Sequence, residues 1–120
     1  LVVEDEALVA MIAEEALSAL GFEPQSARNG VEALALFESF DPALAVIDVG
    51  LPDMRGDELA ARLRVLAPNL PIVVASGYDE AELRAQFSHD PRIAVVAKPY
   101  TEDDLARATR TLGFAHARVG

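Results

Sequence analysis

Four short segments of this chain carry residue types that do chemistry. Glu4-Asp5-Glu6 closes an opening apolar run, and Asp48 follows the apolar residues 43–47. Ser76-Gly77 follows residues 72–75, and Lys98-Pro99 follows residues 93–97. If those runs are parallel strands, their carboxyl ends bring carboxylates, a hydroxyl and an ammonium to one sheet edge, where open α/β sheets gather their ligands. Two carboxylates ~4 Å apart repel by about 4 kcal/mol at an effective dielectric near ~20, so three that stay ionised require a cation. An all-oxygen set suits Mg²⁺, which keeps several waters and is held by one or two carboxylates plus a phosphate. Beside such an ion a carboxylate can attack a phosphoryl group and become an aspartyl-phosphate. The metal, the Lys98 ammonium and the Ser76 hydroxyl would then serve as donors to the spreading negative charge.

Lys98 is the only lysine among ten basic residues. A compact ammonium reaches a phosphoryl group as a point charge, whereas arginine's planar fork would bind it in a fixed bidentate geometry. The chain has 120 residues, a formal charge of −10 and 52% hydrophobic residues, which fits one folded domain with a substantial core. No cysteine is present, which excludes a disulfide scaffold, a thiolate zinc site and cysteine catalysis. No apolar run approaches the ~20 residues that span a bilayer, and no signal-peptide pattern opens the sequence. A soluble cytoplasmic domain with no membrane contact is expected. The excess acid lies in the first half, where Arg28 and Arg55 are the only bases. Direct binding of DNA or RNA by this domain is not expected from that balance. Leu1 already stands inside an apolar run, as expected of a piece with at least an initiator residue missing.

The elements that must position these residues alternate along the chain. Residues 1–3 read as the end of a buried strand. Leu8, Ile12, Ala16, Leu17 and Leu20 recur at helical spacing, and Gly21 stops the helix. Residues 22–27 form a second strand, which Pro24, lacking an amide hydrogen, confines to a sheet edge. Asn29 and Glu32 start a helix through Val31, Leu34 and Phe37, broken by Asp41-Pro42. Residues 43–47 form a wholly apolar third strand, as when helices cover both faces. A loop with Gly50, Pro52 and Gly56 leads to a helix with Leu59, Leu63 and Leu66. Pro68 and Pro71 bracket the turn into strand four, residues 72–75. Asp79 and Glu82 start a helix toward Phe87, and residues 93–97 form strand five. Thr101 and Asp104 cap a last helix bearing Leu105 and Leu112, with Arg107 and Arg110 toward its end, where positive charge suits the dipole. The leucine stripes are assigned to the core, and His89 and His116 to the surface. Strands alternating with helices at this spacing give an α/β domain with right-handed crossovers and a parallel sheet.

The four segments together resemble the receiver domain of two-component response regulators. They are Leu1-Val2-Val3-Glu4-Asp5-Glu6, Val46-Ile47-Asp48-Val49-Gly50-Leu51-Pro52-Asp53-Met54-Arg55-Gly56, Val74-Ala75-Ser76-Gly77-Tyr78 and Lys98-Pro99-Tyr100. The resemblance covers residues 1–112, leaving residues 113–120 as a tail or the start of a linker. It implies a single doubly wound, five-stranded parallel sheet in the order 2-1-3-4-5. That order puts strand two at an edge, where Pro24 independently belongs.

The resemblance also implies roles. Asp48 matches the phosphoacceptor, Asp5 the direct Mg²⁺ ligand, and Glu4 its neighbour, which often acts through water. Gly50 matches the position whose backbone carbonyl ligates the metal. Ser76 matches the residue that bonds a phosphoryl oxygen and reports phosphorylation. Lys98 matches the lysine that pairs with the phosphate, and Pro99 the proline after it, usually cis. A sensor histidine kinase or a histidine phosphotransfer protein is the implied donor. A downstream effector or output domain is the implied reader, through the face made by helix four, strand five and helix five. Homodimerisation through that face is left open. So is the parent: a stand-alone receiver, a response regulator or a hybrid histidine kinase.

One family feature is missing. Many receivers carry Tyr or Phe three residues before the lysine as a rotameric switch, and here Val95 stands there. Tyr78 and Tyr100 are the nearby aromatics that could replace it. As an enzyme the domain would catalyse only its own phosphorylation and dephosphorylation. The rival reading is a non-phosphorylated pseudo-receiver acting as a protein-interaction module. An aspartyl-nucleophile phosphatase would want a second Asp where Gly50 stands. A flavodoxin-like binder would need a phosphate-cradling loop where Glu4-Asp5-Glu6 repels one.

Overall fold

Val3 of the first strand is in register with Ile47 of the third, and Asp48 with Ala75 of the fourth. These pairings fix the sheet on which the domain is built. The computed structural model describes residues 1–77 and 80–114. Along the chain it runs β1 (Val2–Val3), α1 (Ala7–Ala19), β2 (Ser26–Ala27), α2 (Gly30–Ser39) and β3 (Ala45–Asp48), followed by α3 (Gly56–Leu66), β4 (Ile72–Ser76), α4 (Glu80–Gln86), β5 (Ile93–Ala97) and α5 (Glu102–Thr111). The five strands are all parallel and stand in the order β2-β1-β3-β4-β5. This is the doubly wound sheet expected from the sequence.

Alternation along each strand divides the core in two. Val3, Ile47, Ile72, Val74 and Val95 pack with Ala33 of α2, Leu59 and Leu63 of α3 and Leu83 of α4. Val2, Val46, Val73 and Val96 pack on the opposite face with Ala13, Ala16 and Leu17 of α1 and Leu105 and Ala108 of α5. Both faces are covered, which is why β1, β3, β4 and β5 are apolar up to their carboxyl ends.

Several boundaries and faces depart from expectation. β2 is only Ser26–Ala27, so Pro24 precedes the edge strand instead of lying within it. β3 begins at Ala45 and includes Asp48, and β4 extends to Ser76, so both chemical residues are the last of their strands. The α1 stripe is displaced: Leu8 and Ile12 are exposed, and Ala13, Ala16 and Leu17 are buried. Small side chains let α1 sit close to the sheet and α5, which turns the larger ones outward. Val31 and Leu66 are likewise exposed, so the stripes of α2 and α3 are narrower than the leucine spacing suggests. His89 is exposed as expected. His116, Tyr78 and the helix-start residue Asp79 lie outside the described residues.

Local chemistry sets the helix ends. Thr101 and Asp104 form a reciprocal capping box on α5. Gly21 and Gly113, both at φ 100°, follow α1 and α5 in the left-handed region that favours glycine. The next amides, of Phe22 and Phe114, return to the carbonyls of Leu17 and Thr109 at 2.9 and 3.0 Å, completing two Schellman turns. The two phenylalanine rings then meet edge to face, with centroids 5.2 Å apart.

Candidate functional site: an acid and lysine edge

Strand register builds the site. Glu4 comes one residue after β1, level with Asp48, and its amide donates to the Ala27 carbonyl at 3.0 Å. Glu4, Asp48 and Lys98 fall at successive same-side positions after Val2, Val46 and Val96, the row that faces α1 and α5. Ser76 continues the other row, after Ile72 and Val74. The Lys98 amide donates to the Ser76 carbonyl at 2.8 Å, which carries the β4–β5 ladder to the edge. Three strand ends therefore deliver their polar residues to one place because the sheet is parallel and the register is fixed.

Glu4, Asp5 and Asp48 each offer a carboxylate oxygen within 4.8 Å of the others. Glu4 and Asp48 are buried and Asp5 is exposed, so the cluster opens to solvent on the Asp5 side. Lys98 Nζ donates to Glu4 Oε1 and Asp48 Oδ1, both at 3.2 Å. The Glu6 amide donates to Glu4 Oε2 at 3.1 Å. Gly50 stands on the Oδ2 side of Asp48: a Cβ built on it would lie 3.7 Å from Asp48 Oδ2. Gly56 closes the loop back onto the strand: a Cβ there would lie 2.1 Å from the Asp48 carbonyl oxygen.

The electrostatics follow from burial and like charge. Burial pushes the Glu4 carboxyl up, and Asp48 adds to this. The Glu6 amide and Lys98 oppose it without cancelling it. Burial also works against the Lys98 ammonium, but Asp48 and Glu4 outweigh it and hold the group above the usual lysine range. Tyr100 is buried, and burial followed by the Glu4 charge pushes its phenol up to about 12. Val95, at the position of the expected aromatic switch, is buried between the sheet and α4. The Lys98–Pro99 peptide bond is cis. Ser76 is buried at the end of β4.

The sequence reading missed the tie between the loop after β3 and α2. Asp53 accepts from the amides of Gly30 and Val31, both at 2.9 Å. It is a loop acid next to proline, and its only signal was membership of the motif from Val46 to Gly56.

A five-stranded parallel α/β sheet with three carboxylates and a lysine at its carboxyl edge defines a protein of the receiver class. The chain belongs to the response regulator receiver domain family, whose model matches residues 1–110. It is 32% identical over 114 residues to the sensor kinase CckA of Brucella abortus, covering 93% of this chain and 12% of that one. It is 24% identical over 110 residues to sporulation initiation phosphotransferase F of Bacillus subtilis, covering 92% of this chain and 89% of that one. The crystal structure of the receiver domain of NtrX from Brucella abortus superposes with a TM-score of 0.80 at 28% identity, over 95% of this chain and 98% of that one. The chain thus spans a small part of the sensor kinase and most of the phosphotransferase. Among the described residues no helix is long and apolar enough to cross a membrane.

Proposed function

We propose that this domain accepts a phosphoryl group on Asp48 from a phosphohistidine, with Mg²⁺ bound, and switches conformation to control an output. The observation that carries this reading is the convergence of Glu4, Asp5 and Asp48 within 4.8 Å, with the one lysine bridging Glu4 and Asp48.

The donor set fits the ion. Three hard carboxylate oxygens open to solvent suit Mg²⁺, and Glu4, Asp5, Asp48 and the Gly50 carbonyl would hold it. Bound there, the ion would neutralise the acids and withdraw charge from a phosphoryl group. In the transfer, an Asp48 carboxylate oxygen forms a bond to phosphorus as the phosphorus–nitrogen bond of the donor breaks. The imidazole nitrogen leaves with the electron pair and takes up a proton. Lys98 already stands 3.2 Å from Asp48 and serves as a fixed cation for the new phosphoryl oxygens. Ser76 closes the neighbouring strand and donates its hydroxyl to one of them.

The domain catalyses only this phosphorylation and its own dephosphorylation, in which water takes the phosphoryl group from Asp48 as inorganic phosphate and the carboxylate is restored. The receiver unit is residues 1–112, and residues 113–120 are a tail or the start of a linker. Its donor is a sensor histidine kinase or a histidine phosphotransfer protein. Its reader is an effector or output domain that meets the α4–β5–α5 face. Tyr100, or Tyr78, takes the place of the aromatic absent at Val95. Its setting is the cytoplasm, and it makes no direct contact with nucleic acid. The complete acid set and lysine argue against the pseudo-receiver.

The test is incubation with a small phosphodonor and Mg²⁺, read by intact mass and by the alkali lability of an acyl phosphate. Wild type gains one phosphoryl group and Asp48→Asn gains none. Wild-type incorporation in Asp48→Asn overturns the assignment.

A further inference from the structure

We propose that Asp53 is a positioning residue: by holding the first two amides of α2, its carboxylate fixes the 49–55 loop so that the Gly50 carbonyl is presented to Mg²⁺. The inference rests on the receiver reading above and adds a residue to it.

The loop leaves β3 at Asp48 and returns at Gly56. Its base is closed by Gly56 N donating to the Val49 carbonyl at 2.8 Å, and by Val49 N donating to the Ala75 carbonyl at 3.0 Å. Its far side is held by Asp53. One carboxylate oxygen accepts from Gly30 N and the other from Val31 N, each at 2.9 Å. Met54 lies against Gly30 so closely that a Cβ there would be 2.5 Å from its sulfur, so a larger residue at this position would push the Met54 side chain aside. Gly50 stands between the two anchors, three residues before Asp53. Without the far anchor, residues 49–55 keep the base and the apolar packing of Leu51 and Met54 but lose their polar tie to α2, and ordering the carbonyl then costs entropy each time the ion binds.

The carboxylate also serves α2, and the two services can be separated. The helix has its own N-cap, Asn29, whose Oδ1 accepts from Glu32 N at 2.8 Å. Asn29 and Asp53 satisfy different amides of the same helix start, but only Asp53 belongs to the metal-side loop. The hydrogen bond from Gly30, followed by that from Val31, holds the Asp53 carboxyl below the usual range, consistent with a carboxylate committed to those amides.

The test measures Mg²⁺ affinity by titration calorimetry on wild type, Asp53→Ala, Asp53→Asn and Asn29→Ala, in enough NaCl to screen long-range charge. Urea midpoints without Mg²⁺ are read alongside. Asp53→Ala and Asn29→Ala should both lower the midpoint, since each uncaps α2. Only Asp53→Ala should raise the Mg²⁺ Kd, by about 10-fold, the lower end of what supporting residues of metal sites give. Asp53→Asn, uncharged but keeping one acceptor, should fall between. Equal Kd values for wild type and Asp53→Ala overturn the proposal. So do equal Kd values for Asp53→Ala and Asp53→Asn, which would make the effect one of charge alone. A matching rise in Asn29→Ala would make it one of α2 stability and also overturns it. A wild type that binds no Mg²⁺ at all overturns the Mg²⁺-dependent phosphoacceptor reading beneath it, and is told apart from the other outcomes by the wild-type titration.

Discussion

The Lys98 ammonium sits 3.2 Å from Asp48 Oδ1 across 50 residues of sequence, and it reaches Glu4 at the same distance. The two carboxylates are nearly buried, at 2% and 8% side-chain exposure, and the lysine is their common counter-charge. The pairing joins the ends of β1, β3 and β5, so it is structural and chemical at once.

Lys98→Met keeps the apolar stem and removes the charge. Glu4 and Asp48 then face each other without compensation. Fully buried pairs broken on one side lose about 3–5 kcal/mol, and a loss of about 2 kcal/mol is expected at this partly open site. Mg²⁺ replaces the missing charge, so it should restore more stability in the variant than in wild type. Urea unfolding with and without MgCl₂ measures both, and an equal Mg²⁺ increment in the two proteins would sink the expectation. Phosphodonor labelling should be slowed although Mg²⁺ still binds.

Two glycines near the site make opposite demands. A Cβ on Gly56 would lie 2.1 Å from the Asp48 carbonyl oxygen, a backbone atom that cannot move without shifting β3. At Gly77 a Cβ meets nothing within 4 Å among the described residues. Gly56→Ala is expected to cost about 3 kcal/mol or more by overpacking, and Gly77→Ala less than about 1 kcal/mol. Thermal unfolding of the pair checks the contrast. Similar melting temperatures would show that the loop yields.

Arg64 ties α3 to both neighbouring turns. Its Nε donates to Asp90 at 2.9 Å, and Nη1 to the carbonyls of Ala67 and Leu70 at 3.1 and 2.6 Å. Arg64→Ala should cost about 2 kcal/mol, with Lys restoring only part because it lacks the fork. Partial burial pushes the Asp90 carboxyl up, but the Arg92 amide and then Arg64 outweigh it and leave it below its ordinary value. The unfolded chain therefore binds the proton more readily. The stability Asp90 contributes is full above the unfolded pKa of ~3.9 and is lost as pH falls through the lower folded value. Asp90→Asn should flatten the fall in stability below about pH 4, as measured by urea unfolding across pH 2–6. An unchanged slope would remove Asp90 from the acid transition.

Much of the fold was written locally. Apolar runs marked β1, β3, β4 and β5, and β5 matches its expected bounds residue for residue. Thr101 with Asp104, and Gly21 after α1, act through bonds to residues at most five positions away, so their chemistry could be read directly. The acids, hydroxyl and lysine were legible because each directly follows an apolar run. A parallel sheet collects such residues without any further information.

What tertiary structure alone decided concerns partners far apart in sequence. Periodicity said that α1 had an apolar face, but packing against α5 chose Ala13, Ala16 and Leu17 over Leu8 and Ile12. Asp53 could be read as a loop acid, and only the folded chain brings it to the amides of Gly30 and Val31. Arg64 could be read as a helix-face cation, and only the fold brings Asp90 to it. Sequence patterns report what a residue does to its own backbone and to the nearest turn. Which surfaces meet is set by shape and volume after the sheet has formed, and that information lies in no single stretch of the chain.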